Sequence, residues 1–280
     1  MLSSIKNTNK QLLLTFALLF SLSLNAFAAK VDTVAIYSAS MKKNVKAVVI
    51  TPASYKDKSK HFPVVYLLHG YSDSYSGWVK RVPGILNEAD QYNMIIVCPD
   101  GAYGSWYFDS PIDSTKRYET NVAVEIPDYI DKHYRTIADR KARAITGLSM
   151  GGHGAFYLGI RHKDFFGAIG SMSGGVDIRP FPNNWDIKKS LGDYASNTDN
   201  WNKNTVINLV DQLKNDEQRI VIECGIDDFF LKVNRNLHEK LLAQKINHDY
   251  TERPGAHNWM YWSNAIKYQL LYFNNFFKAN

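Results

Sequence analysis

The sequence predicts an α/β fold, with a mostly parallel eight-stranded sheet, helices on both faces and a partial cap. Three observations predict it. Eight short apolar runs recur along the chain. Segments of helical period separate them over the last two-thirds, the alternation that builds a parallel sheet. The central runs are apolar at nearly every position, as strands covered on both faces must be. Composition allows a self-sufficient core, because hydrophobic residues are 45% and charged residues 21% of 280, which is ordinary for a globular chain. Two cysteines cannot staple a chain of this length.

The first 28 residues read as a secretory leader. Lys6 and Lys10 form a basic start, an apolar run spans 12–24, and Ala26-Phe27-Ala28 has the small-x-small pattern of a signal-peptidase site. That run is shorter than the roughly 20 residues a membrane span needs, so it reads as a leader and not an anchor. No later stretch approaches 18 apolar residues, so no span is expected after cleavage. The expected mature chain, 29–280, is one domain in the periplasm or outside the cell. Losing two lysines lowers the net charge from +6 to +4. Lys and Arg are scattered without a basic stripe, so nucleic acid is not an expected partner.

Strands are expected at 33–37, 45–51, 64–68, 94–98, 142–146, 168–172, 219–224 and 249–252. The first two lie a hairpin's distance apart, so the sheet should begin antiparallel. Cys98 and Cys224 end two of the runs and read as small buried hydrophobes, not as a bridge. Helical periods cover 78–92 (Pro83 near the start), 122–133, 153–161, 206–213, 231–244 and 259–277. The stretch 174–204 has no period, two prolines and two tryptophans. Loops of this length are usually functional or disordered, and the tryptophans favour an ordered cap over the sheet.

Chemistry concentrates where strands end. Gly147-Leu148-Ser149-Met150-Gly151 directly follows the run 142–146 and opens a helix. A strand–turn–helix setting is what G-x-S-x-G needs to act as a nucleophile elbow. The glycines allow a turn too tight for side chains, and the serine hydroxyl then stands over unpaired N–H groups at a helix N-terminus. Ser149 needs a base, and the base needs an orienting acid. In this architecture the acid comes next in the chain and the histidine last. His238 lies within a helical period and His248 precedes the last strand. His257 follows it, in Pro254-Gly255-Ala256-His257, and is the expected base. The acid should follow the run 219–224, where Asp227 and Asp228 stand side by side. Residue chemistry alone leaves both open, with one of them expected to cap the next helix. The oxyanion donors are expected to be the N–H groups of Met150 and of Tyr71, after the His69-Gly70 pair. His69 itself reads as a buried histidine bonded to backbone. Trp106, Trp185 and Trp201 are the candidates to line a substrate groove. No His-Glu-x-x-His, cysteine pair or phosphate loop occurs, so neither metal nor cofactor is expected.

These motifs together resemble the esterase D-type branch of the α/β-hydrolase superfamily. That branch includes S-formylglutathione hydrolases, feruloyl and acetyl-xylan esterases of carbohydrate esterase family 1, small acyl esterases and mycolyltransferases. The segments that carry the resemblance are Val64-Val65-Tyr66-Leu67-Leu68-His69-Gly70, Ser105-Trp106-Tyr107, Gly147 to Gly152, Ser171-Met172-Ser173-Gly174, Cys224-Gly225-Ile226-Asp227-Asp228-Phe229 and Pro254 to Trp259, in the branch's order. The resemblance implies Ser149 as nucleophile, His257 as base, and Asp228, the last residue of Gly-x-x-Asp, as acid. It also implies Tyr71 and Met150 as oxyanion donors. The chain departs from the branch at Arg161-His162-Lys163-Asp164, where relatives carry His-Pro-Asp, away from the chemistry. The expected activity is an exported serine esterase acting on feruloyl or acetyl groups of plant polysaccharide. The alternatives are a short-chain acyl esterase or S-formylglutathione hydrolase-like thioesterase, acyl transfer to an alcohol, and a non-catalytic carbohydrate-binding protein on the same fold.

Overall fold

A computed structural model describes residues 28–280. The expected leader therefore lies, apart from Ala28, outside the described residues. Eight strands form one sheet: β1 (Lys30–Ser38), β2 (Lys43–Thr51), β3 (Val64–Leu68), β4 (Ile95–Pro99), β5 (Arg143–Gly147), β6 (Ala168–Met172), β7 (Arg219–Gly225) and β8 (Asp249–Arg253). Their spatial order is β1-β2-β4-β3-β5-β6-β7-β8. β2 runs antiparallel to both of its neighbours, and β3 to β8 are mutually parallel.

Period-two alternation sorts the strand residues onto two cores. Val64, Tyr66 and Leu68 join Ile95 and Val97 on one face, while Val65 and Leu67 join Ile96 and Cys98 on the other. The helices Met150–Arg161 and Leu231–Ala243 cover the first face, and Ile85–Tyr92 and Trp259–Lys278 cover the second. Both cysteines are free and buried. No described helix is long and apolar enough to cross a membrane.

Two helices differ from expectation. The predicted helix over 78–92 is two, Gly77–Arg81 and Ile85–Tyr92. Pro83 has no N–H to donate, and its ring pushes the preceding residue out of the helical region. Val82 accordingly sits at φ −129°, ψ 67°. The helix expected over 122–133 begins earlier, at Tyr118–Thr120, and passes through a π turn at Asn121–Glu125 before Ile126–His133. Glu125 binds across to the β1–β2 hairpin, accepting from Ser38 Oγ at 2.5 Å and from Ser40 N–H at 2.8 Å. Such a tertiary contact leaves no trace in the period.

The segment 174–204 carries two short helices, Lys188–Leu191 and Thr198–Asn204. It buries Val176, Ile178, Ile187 and Leu191 in the same core as the first sheet face. The chain runs from β3 outward to β4, then back across to β5. Its direction of progress therefore reverses between β3 and β5, and the crevice at their carboxyl ends is where open α/β sheets place ligands.

Candidate active site

That crevice holds the elbow. Ser149 follows β5 at φ 54°, ψ −116°, a backbone conformation a side chain rarely adopts and one that stores strain. It persists because the turn is pinned from several sides. Ser149 N–H donates to Met172 O at 2.9 Å, and Gly175 N–H donates to Ser149 O at 3.3 Å. The flanking glycines are steric necessities. A Cβ at Gly147 would lie 2.6 Å from the Gly151 backbone, and one at Gly151 would lie 2.6 Å from the carbonyl oxygens of Leu68 and His69.

Two loops at the same sheet edge bring side chains to Ser149. His257, after β8, has Nε2 2.9 Å from Ser149 Oγ. Its Nδ1 lies 2.8 Å from Asp228 Oδ2 and 3.0 Å from Oδ1. Nδ1–H donates to the carboxylate, which leaves Nε2 to accept the serine proton. The Asp228 side chain is fully buried (0% exposed). Its Oδ1 also accepts from Phe230 N–H at 2.8 Å, so the carboxylate cannot turn away. Asp227 is exposed, with its N–H given to Gly255 O at 2.9 Å. The expectation that one aspartate caps the next helix fails, since no side chain caps Leu231–Ala243. His238 and His248 bond to each other at 2.7 Å and stay apart from this chain of bonds.

Tyr71 passes close to the elbow, since a Cβ on its neighbour Gly70 would meet Leu148 Cδ1 at 2.5 Å and Ser149 Cβ at 3.5 Å. The Gly70–Tyr71 peptide is held by His69. Gly101 N–H donates to His69 Nε2 at 2.8 Å, so the ring proton sits on Nδ1 and donates to Gly70 O at 2.8 Å. In a trans peptide the N–H points opposite to the carbonyl. Pinning the Gly70 carbonyl therefore frees the Tyr71 N–H, which makes no backbone hydrogen bond among the described residues. Met150 opens its helix, where N–H groups have no intrahelical partner.

A cavity of about 310 Å³ opens over Ser149, walled by Tyr71, Trp185, Phe229, Trp259 and Trp262, with Arg81 at its rim. The guanidinium of Arg81 lies 5.2 Å from the Trp259 ring centre. His257 is wedged among rings, 4.1 Å from Phe229 and 4.8 Å from Trp262. Of the three tryptophans expected to line a groove, only Trp185 does so. Trp106 is buried beneath it and donates from Nε1 to Trp185 O at 3.0 Å. Trp201 is fully buried and donates to Gly192 O at 2.9 Å. Both are core residues, because an indole with its N–H satisfied by backbone packs better than it reaches. The wall residues missed in the sequence, Phe229, Trp259 and Trp262, sit one to five positions from Asp228 or His257. Proximity to a triad member on a strand-end loop was the available signal.

An eight-stranded sheet of this order, with a strained serine turn after β5 and a histidine after β8, defines an α/β-hydrolase. Comparison with known proteins places it more narrowly. The Esterase family model matches residues 38–273. An acetyl esterase of Caldicellulosiruptor saccharolyticus is 29% identical over 250 residues, covering 82% of this chain and 92% of that protein. A solved ferulic acid esterase superposes with a TM-score of 0.77 at 31% identity, covering 90% of this chain and 99% of the other. An endo-1,4-beta-xylanase/feruloyl esterase of Xylanibacter ruminicola is 30% identical over 157 residues, which is 52% of this chain and 22% of that larger protein. The chain belongs to the Esterase family and is a carboxylic ester hydrolase.

Proposed function

We propose that the chain is an exported serine esterase that removes feruloyl or acetyl groups from plant polysaccharide. The observation that carries the catalytic part is the unbroken relay from Ser149 Oγ through His257 to buried Asp228. Ser149 attacks the ester carbonyl while His257 Nε2 takes its proton. The developing oxyanion is met by the N–H groups of Tyr71 and Met150, in a donor arrangement whose members are each worth about 10²–10³ in rate. The imidazolium, held by Asp228, returns its proton to the departing alcohol. Water, activated by the same histidine, then hydrolyses the acyl-enzyme.

The substrate part rests on different support. Trp185, Phe229, Trp259 and Trp262 make a flat-walled cavity suited to a planar aromatic acyl group. The relatives are titled acetyl esterase, ferulic acid esterase and xylanase/feruloyl esterase. Export rests on the pattern of residues 1–28. The test is turnover of p-nitrophenyl acetate and of feruloylated and acetylated xylan oligomers by wild type and Ser149→Ala. Wild type should cleave all three. Ser149→Ala should lose about 10⁴-fold or more in kcat and fail to react with a fluorophosphonate. Retained turnover in that variant overturns the catalytic assignment, and indifference to the xylan esters overturns the substrate assignment.

A further inference from the structure

A second cavity of about 310 Å³ lies beside the first. Tyr71, which lines the first, touches two residues that line the second. Its ring meets Tyr103 edge-to-face at 4.9 Å, and its hydroxyl donates to Asp186 Oδ2 at 3.2 Å. Tyr103 and Asp186 line the second cavity, and Trp185, next to Asp186 in the chain, lines the first. A ligand extending past Tyr71 from the first cavity would meet Tyr103 and Asp186 of the second.

The wall chemistry of this cleft differs from that of the first. Its lining includes Tyr103, Tyr118, Lys43, Lys116 and Lys189, with Asp186 as the one acidic lining residue among those described. That carboxylate is already paired with Lys189 at 3.0 Å. Lys116 is steadied by Lys189 O at 2.8 Å and faces Asp113 at 3.2 Å. Lys43 has no carboxylate within 4.0 Å among the described residues. Its contact is a neutral phenol, Tyr118 OH, at 2.9 Å. With Lys189 paired to Asp186 and Lys116 to Asp113, the uncompensated positive charge rests on Lys43, which Asp100 faces electrostatically at longer range, beside Tyr103, which is 60% exposed. Exposed aromatic faces carry the C–H face of a sugar, and ammonium groups select an anionic substituent on it.

The cleft is also held rigid. Ala102, Trp106, Trp185 and Asp186, on the two loops that bound it, all have positive φ, and such backbone survives only where its surroundings hold it. Ser72 N–H to Tyr103 O at 2.7 Å and Trp106 Nε1 to Trp185 O supply the ties.

We infer that this cleft is a subsite for a carboxylate-bearing sugar of the substrate, a uronic acid residue near the esterified position. The inference rests on the proposed esterase reading and names the feature of the polysaccharide that reading leaves open. Binding to the full chain carrying Ser149→Ala tests it apart from catalysis. Calorimetry compares a xylo-oligosaccharide bearing a glucuronic acid branch with a neutral one of equal length. The acidic ligand should bind about tenfold tighter or more at low salt, the scale of a charge-assisted hydrogen bond. The advantage should shrink at high salt and vanish when Lys43→Met and Lys116→Met are added. Equal affinity for the two ligands overturns the subsite. So does an acidic preference that survives the lysine substitutions in a folded variant. The comparison of the two ligands stands even if the lysine variant does not fold. In the wild-type background, turnover of p-nitrophenyl acetate should be unchanged by the same two substitutions. Absence of that turnover from wild type would instead count against the esterase reading, while the binding result would still decide the cleft.

Discussion

At the elbow, backbone touches backbone. Gly151 leaves no room for a Cβ between itself and the carbonyls of Leu68 and His69, and Ser149 is fixed by the chain on either side of it. Across the cavity the rim is made of side chains standing on loops. Phe229 is 53% exposed and stacks on Trp185 at 5.6 Å, and Arg81 lies over Trp259. The difference separates two jobs. Attack on a carbonyl tolerates little displacement, so it is built where sterics leave one arrangement. Choice of acyl and sugar groups is carried by side chains that can be exchanged without moving the sheet.

That comparison breaks first at the acid. Asp228→Asn should lower kcat about 10⁴-fold by presenting the wrong partner to His257 Nδ1. Asp227→Asn, one position away and exposed, should stay within about twofold of wild type, because surface substitutions usually do little. Steady-state kinetics on one synthetic ester decides both, and equal losses would dissolve the distinction. Gly151→Ala should destabilise the fold by about 3 kcal/mol, the upper range for overpacking, visible as a lower denaturation midpoint. An unperturbed midpoint would mean the elbow is looser than its contacts imply.

A third test lies under the cap. Burial raises the Glu119 carboxyl, but bonds from His162, Arg161 and Tyr157 outweigh it and hold its pKa down to about 2 from 4.5. A depressed folded value stabilises the protein above the unfolded value and loses that contribution as pH falls. Stability should therefore decline between about pH 5 and pH 2, by about 3 kcal/mol. Glu119→Gln should flatten this part of the acid denaturation curve. The smallest effect belongs to the rim. Trp185→Ala should raise KM for a feruloyl ester about tenfold, the scale of one lost aromatic wall, with kcat on p-nitrophenyl acetate little changed. A fall in kcat instead would move Trp185 from the rim to the elbow's side of the comparison.

The elbow was legible in the sequence for the reason it is rigid. Its constraint is local, a glycine on each side of Ser149 between a strand and a helix, and local sterics write themselves into the residues. The strands were equally legible, because runs such as Val64-Val65-Tyr66-Leu67-Leu68 are apolar on both faces and only the middle of a layered fold accepts them. The rim was not. Trp106, Trp185 and Trp201 are the same residue type in similar surroundings, yet one lines the cavity and two fill the core. Likewise Pro83 was read as lying near the start of one helix over 78–92, whereas the structure breaks the helix there and leaves a piece on each side.

By itself the sequence determined the order and type of the elements, the serine turn, and the loops from which its partners come, since each follows from period, turn chemistry or a steric exclusion within a few residues. Only the tertiary structure decided which aspartate turns inward, which indole meets solvent, and that Lys43, Lys116 and Lys189 share one cleft. Those outcomes depend on distances between residues far apart in the chain, set by how the layers pack.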